Sequence, residues 1–244
     1  MTFPKLLILT DRAQMKPSWE LALLAACQGG ARWFCVREAL APPREQLELY
    51  RRAARLTERF GAQLFLNGRA DLARAAHAGG LHLPQSEISV ADARLSLSFH
   101  TPIGRSVHSG DEAKRALDEG ANYLVFGAVW ETPSHPGQSA AGLDALAAVC
   151  AGAKIPVFAI GGVTAQNAAQ CLEVGAAGVA LLSGIWGAPD VTARVRAVRA
   201  ALGETDAPLH GHAPTATGNG ASSALSDIIS KAQRAAPAGD ANAA

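Results

Sequence analysis

The sequence predicts an α/β fold, a TIM (β/α)8 barrel followed by a disordered C-terminal tail. Short apolar runs, each ended by glycine or a polar pair, alternate eight times with helical patterns in about the first two hundred residues. Alternation of buried strands with amphipathic helices demands a parallel sheet, and eight units at this spacing favour a closed barrel over an open, doubly wound sheet. After Gly203 the composition shifts to Ala, Gly, Ser, Pro and Thr. Such a stretch cannot bury enough surface to offset its chain entropy. The expected organisation is therefore a barrel over 1–203 and a low-complexity tail over 204–244, with one short helix at 226–234.

The elements follow in order. Leu6 to Thr10 is a continuous β run, and Ser18 is the expected N-cap of the helix WELALLAACQ, stopped by Gly29-Gly30. Arg32 to Val36 is the second strand, and Pro43 starts the amphipathic helix REQLELYRRAARLTERF, ended by Gly61. Gln63 to Leu66 is the third strand, Asn67-Gly68-Arg69 a turn, and Ala70 to His77 a helix closed by Gly79-Gly80. LHL, ending at Pro84, is the fourth strand, and a helix is expected within 86–97. IGRSV is the fifth, ending at His108, and Ser109 with Glu112 forms a capping box for DEAKRALDEG. Asn122 to Phe126 is the sixth strand. A long loop, GAVWETPSHPGQSAAG, then leads to the helix LDALAAVCAG. Pro156 to Ile160 and Val179 to Leu182 are the seventh and eighth strands, and VTARVRAVRAAL is the last helix.

Composition narrows the function classes. The 244 residues carry a formal net charge of +1 and are 49% hydrophobic, as one soluble domain with a full core should be. Lysine and arginine are spread thinly, which speaks against nucleic acid as a partner. The apolar run before Asp11 is five residues, too short for a signal segment, and nowhere do eighteen apolar residues run on, so no membrane partner is expected and the protein reads as cytoplasmic. Cys27, Cys35, Cys150 and Cys171 show no CxxC spacing and read as buried, reduced thiols. His210 and His212 lie in the tail and read as solvated. A homo-oligomer is compatible with all of this.

The stretch PVFAIGGVTAQNAAQ carries the first functional signal. A strand, the turn Gly161-Gly162 and a helix beginning at Thr164 would point unpaired backbone N–H groups and a helix dipole outward, which suits a phosphate. About twenty residues on, a second strand ends in Ser183-Gly184. Two such turns at adjacent strand ends match the phosphate position after strands seven and eight of this barrel class. The active site should be built from the C-terminal strand ends: Asp11, Arg37, Asn67, Gln85, Ser106, His108, residues 132–135, Gly162 and Ser183-Gly184. That set lacks converging carboxylates, so no metal site is expected. Arg37 suits a carboxylate or phosphate, with an ion pair to Glu38 as the structural alternative. His108 sits where a general acid/base would, and His82, lying mid-strand, reads as structural.

The strings LFLNGRADLA, LHLPQ, IGRSVHS, YLVFGAVWETPSHPG, FAIGGVT and LLSGIW, in this order, resemble the thiamine phosphate synthase/TenI family across roughly residues 5–200. The resemblance implies a barrel that binds a phosphorylated thiazole, with Arg37, Asn67, Ser106, Thr132, Ser134, Gly162, Leu182, Ser183 and Gly184 around it. It also implies one of two reactions. The synthase branch joins a pyrimidine diphosphate to the thiazole phosphate with magnesium. Against its pattern, this chain has Cys35 for a glutamine, Ala39 for a lysine, Gly68 for the first metal aspartate and His135 for a lysine, with Gln85-Ser86-Glu87 at the second aspartate's place and Glu87 replacing it, while Arg37, Glu38 and Asn67 are retained. Those losses favour the TenI branch, whose thiazole tautomerases need no metal or other cofactor. That branch's strand-six histidine is Ala128 here, leaving His108 and then His135, with Arg37, as the candidate catalytic residues. The reading is a TenI-like tautomerase; a divergent magnesium-dependent synthase and a silent thiazole-phosphate binder are the alternatives.

Overall fold

The structure is a computed structural model that describes residues 2–132, 137 and 139–204. Residues 205–244 of the expected tail, Ser134 and His135 lie outside the described residues. Eight parallel strands close into a barrel in the order of the sequence, each paired with its neighbours and the last with the first. In chain order the elements are β1 (Leu6–Leu9), α1 (Trp19–Gln28), β2 (Trp33–Val36), α2 (Pro43–Thr57), β3 (Gln63–Asn67), α3 (Ala70–Ala75), β4 (Gly80–Leu83) and α4 (Val90–Ser96). They continue with β5 (Ile103–Val107), α5 (Gly110–Asp118), β6 (Tyr123–Phe126), α6 (Gly142–Gly152), β7 (Val157–Ala159), α7 (Ala168–Glu173), β8 (Gly178–Leu181), α8 (Ser183–Trp186) and α9 (Val191–Ala201). No described helix is long and apolar enough to cross a membrane.

Local chemistry accounts for most boundaries. Ser18 caps α1 by accepting from the Leu21 N–H, and Gly61 takes φ +62° after a 3-10 turn that ends the α2 segment. At α5, Ser109 accepts from Glu112 N–H, but the Glu112 carboxylate reaches His108 N–H at 2.7 Å, one residue before the position a capping box uses. Three expectations need correction. The helix within 86–97 is shorter, capped by Ser89 and running Val90–Ser96. Gly80 lies in β4, and His77, at φ 50°, takes the left-handed turn after α3. The helix expected from Thr164 starts only at Ala168; ahead of it the Asn167 side chain accepts from Thr164 N–H at 2.7 Å and donates to Gly162 carbonyl oxygen at 3.1 Å, tying residues 162–167 together.

The sheet divides the core in two. Outside it, a continuous layer from Leu6, Ile8, Phe34, Leu64, Leu81, Leu124 and their neighbours packs against the helices. Inside it, the alternate residues Leu7, Leu9, Trp33, Cys35, Phe65, Tyr123, Val125, Phe158 and Ala180 fill the barrel, as the two-residue side-chain period requires. Phe3 stacks on Trp33 at 5.0 Å between centroids, and Trp33 meets Phe65, Tyr123 and Phe158 at 5.4, 5.0 and 5.0 Å. This aromatic plug closes the end opposite the site.

One glycine makes the plug fit. Gly104 is in register with His82 on one side and Tyr123 on the other, and a Cβ there would land inside the Tyr123 ring. Gly104→Ala is accordingly expected to lower stability by about 1–3 kcal/mol, the usual cost of overpacking a filled core, read as a lower urea midpoint at unchanged slope.

Candidate functional site

The C-terminal strand ends converge on one mouth. After β7 the chain turns through Gly161 and Gly162, both at positive φ, +91° and +65°. The segment following β6 lies directly over this turn: Val129 N–H donates to Ile160 carbonyl oxygen at 2.9 Å and Trp130 N–H to Gly161 carbonyl oxygen at 3.1 Å. A Cβ on Gly162 would meet Trp130 Cβ at 2.5 Å and Glu131 carbonyl oxygen at 2.7 Å. Half-buried Thr132 follows Glu131 in this segment. The β8 turn adjoins it on the other side, since a Cβ on Gly184 would sit 3.2 Å from Val163 carbonyl oxygen. Among the described residues, the backbone N–H groups of Gly162, Ser183 and Gly184 have no acceptor.

Adjoining backbone donors without acceptors are the kind of arrangement that nests use to hold phosphate elsewhere. The part expected of a helix N-terminus at Gly162 is supplied differently, since α7 begins six residues later and Asn167 fixes the turn instead. Ser183 and Gly184 open the four-residue α8, preceded by Leu182, and are half-exposed to the mouth.

On the β2 side, Arg37 is exposed and makes no ion pair among the described residues. Its backbone is held instead, the N–H donating to Thr10 Oγ1 at 3.0 Å. The ion pair weighed between Arg37 and Glu38 is absent: Glu38 is bound by Arg12 at 2.8 Å, and Arg12 also holds Glu45 at 2.8 Å. Asn67 ends β3 with its amide 3.8 Å from Cys35 Sγ, a thiol pushed up to about 12 by burial and so protonated. Gly68 follows at φ +81°, and Glu87 Oε1 lies 3.3 Å from the place a Gly68 Cβ would occupy. Asp11 is turned aside to Ala13 N–H and the Gln14 amide. Gln85 is exposed, its amide 3.5 Å from Glu112. No described cluster of three or more His, Cys, Asp or Glu side chains is arranged to hold a metal by itself.

His108 is exposed at the end of β5, with Nδ1 hydrogen-bonded to the carbonyl oxygen of Gly127, the residue before Ala128. A carbonyl oxygen only accepts, so Nδ1 carries a proton and the neutral ring offers Nε2 as a base. Below it, Ser106 Oγ is 2.9 Å from His82 Nε2, and His82 Nδ1 is 3.2 Å from Tyr123 Oη. Sequence reasoning missed this line. The signal was there, because 82, 104 and 123 share one level of adjacent strands and 106 stands two residues above Gly104.

Burial, with Arg105 adding to it, pushes His82 down to about 4. The unfolded histidine takes up its proton near 6.5, so between about 6.5 and 4 the unfolded chain binds more protons and stability falls as pH falls. The full loss is about 3 kcal/mol. Urea unfolding at pH 7 and pH 4.5 should show it, and His82→Gln should flatten that part of the profile.

Three comparisons bear on the site. The Thiamine monophosphate synthase family profile matches residues 6–185. Thiamine-phosphate synthase of Thermus thermophilus is 39% identical over 194 residues, covering 77% of this chain and 93% of that protein. Thiamine-phosphate synthase of Moorella thermoacetica is 39% identical over 185 residues, covering 75% and 88%. Among solved structures, thiamine phosphate pyrophosphorylase from Pyrococcus furiosus superposes with a TM-score of 0.74 at 34% identity, covering 82% of this chain and 95% of the other.

Proposed function

The chain belongs to the thiamine monophosphate synthase family, and from that premise we propose that it is a thiamine-phosphate synthase, joining a pyrimidine diphosphate to a thiazole phosphate in thiamine biosynthesis. The observation that carries the reading is the pair of adjoining turns whose Gly162, Ser183 and Gly184 N–H groups have no described acceptor. As an anion cradle they suit a phosphate monoester, and Thr132 follows Glu131 in the segment over the Gly162 turn. Arg37, which has no ion pair among the described residues, offers a second anion a planar fork from another part of the mouth. One mouth with two anion anchors is what a reaction between a phosphate and a diphosphate needs.

In that reaction the thiazole nitrogen bonds to the pyrimidine methylene carbon while the carbon–oxygen bond to diphosphate breaks, the electron pair leaving with the diphosphate. The cradle fixes the thiazole by its phosphate, which turns a meeting of two molecules into a reaction within one site. Arg37 counters charge growing on the departing oxygen. A magnesium ion fits the donor set: the Glu87 carboxylate lies 3.3 Å from the place a Gly68 Cβ would take, next in the chain to Asn67, and magnesium is commonly held by one or two carboxylates with substrate phosphates. It would neutralise diphosphate charge there. The four losses that favoured the TenI branch remain departures. Against them stand relatives named for the synthase reaction and Glu87 reaching into the Gly68 gap.

The tautomerase is the second reading, favoured by the His108 tautomer, whose Nδ1 is held by the Gly127 carbonyl oxygen and whose Nε2 is left to act as a base. The two are separated by a chelator. Synthase turnover should vanish with EDTA and return with excess magnesium, whereas tautomerisation should be indifferent. If tautomerisation is the activity found, His108→Asn should slow it about a hundredfold with little loss of affinity. His135→Asn is the companion variant, and indifference to both would remove the second reading.

A further inference from the structure

His82, Tyr123 and Ser106 form a polar line through an otherwise apolar barrel interior. Tyr123 is fully buried and His82 is 2% exposed, while Ser106 is half-buried at the mouth. The Tyr123 hydroxyl lies 3.2 Å from His82 Nδ1, and His82 Nε2 lies 2.9 Å from Ser106 Oγ. Gly104 makes the line possible, because the Tyr123 ring passes through the space a Cβ would fill to reach two strands over.

The proton positions follow from satisfying each buried group. The phenol hydrogen has one acceptor among the described residues, His82 Nδ1. Were the ring proton on Nδ1, the phenol oxygen would have to accept it, leaving the phenol hydrogen buried with nothing to bond. With Tyr123 donating to Nδ1, Nε2 carries the ring proton and donates to Ser106 Oγ. Every donor of this line is then used. The Ser106 oxygen is engaged from below, and its own hydrogen is the group offered to the mouth. Burial keeps His82 neutral down to about pH 4, and Tyr123 is raised well above its ordinary value, so neither proton is lost near neutrality.

We propose that Tyr123 and His82 are positioning residues that hold the Ser106 hydroxyl as a hydrogen-bond donor, so that the subsite above Ser106 takes an acceptor atom of the substrate, a ring nitrogen or an anionic oxygen. This rests on the barrel mouth being the substrate site proposed above. Tyr123→Phe removes one buried hydroxyl and keeps the ring that fills the Gly104 space. The His82 ring then loses the donor that selected its tautomer.

Two measurements test the proposal. Nitrogen-15 chemical shifts of the His82 ring in the ligand-free protein should report a neutral ring protonated at Nε2, and a mixture of tautomers in Tyr123→Phe. In whichever of the two reactions the wild type performs, Ser106→Ala should lower kcat/KM about tenfold and Tyr123→Phe several-fold, with the double variant no worse than Ser106→Ala alone. A wild-type ring protonated at Nδ1 overturns the proposal, and so do losses that multiply in the double variant, since Tyr123 would then act independently of Ser106. If the wild type turns over neither substrate set, the functional reading has failed, and the ring-nitrogen shifts still decide the tautomer.

Discussion

Ser183→Asp is expected to weaken thiazole phosphate binding by about 10²–10⁴-fold, the equivalent of losing two charge-assisted hydrogen bonds. The substitution places a carboxylate beside the Ser183 and Gly184 N–H groups, where it competes with the phosphate and repels it. The position is chosen for its tolerance. Ser183 is the first residue of α8, its side chain makes no described hydrogen bond, and an acidic residue suits a first helical turn. Gly162→Asp is a poorer probe despite its place at the centre of the cradle. At φ +65° and with Trp130 Cβ 2.5 Å from its would-be Cβ, any side chain there displaces the loop that bears Thr132. Ser183→Ala is the control, keeping both N–H groups and expected to change affinity only a few-fold. Calorimetric titration with the thiazole phosphate reads both, and an unchanged Kd in folded Ser183→Asp would remove the cradle from the account.

Arg37→Met should lower kcat/KM for the pyrimidine diphosphate about a thousandfold while leaving thiazole phosphate affinity untouched. Methionine keeps an unbranched apolar stem and deletes the guanidinium, so the loss isolates the charge and its paired donors. Arg37→Lys should recover only part, because an ammonium lacks the planar fork. Steady-state kinetics with each substrate varied in turn measures the split. A loss shared equally between the substrates would mean that Arg37 serves the mouth as a whole.

Much of this was legible before any coordinates. Strand order and barrel closure follow from eight buried runs separated by helical patterns, and the mouth residues follow from being last on each strand. What escaped depends on contacts between elements. VTAQNAAQ reads as a helix opened by Thr164, whereas α7 begins at Ala168, and only the three-dimensional turn shows the Asn167 amide bonded to both Gly162 and Thr164. Arg37 beside Glu38 invites an ion pair in sequence, yet Arg12 from the β1 end reaches Glu38 first. His82 looked structural as a lone residue. Its partners come from two other strands, and the glycine between them carries no chemical signal except the space it leaves. Glu87 was legible as a carboxylate at the place of the second expected aspartate, but its approach to the gap at Gly68 is a property of the fold.

The most direct test is product formation. Purified protein given hydroxymethylpyrimidine diphosphate, the thiazole phosphate and magnesium should yield thiamine phosphate and one diphosphate per turnover, and none with EDTA. Thiazole phosphate that binds the cradle yet is never converted to thiamine phosphate under these conditions would contradict the synthase reading.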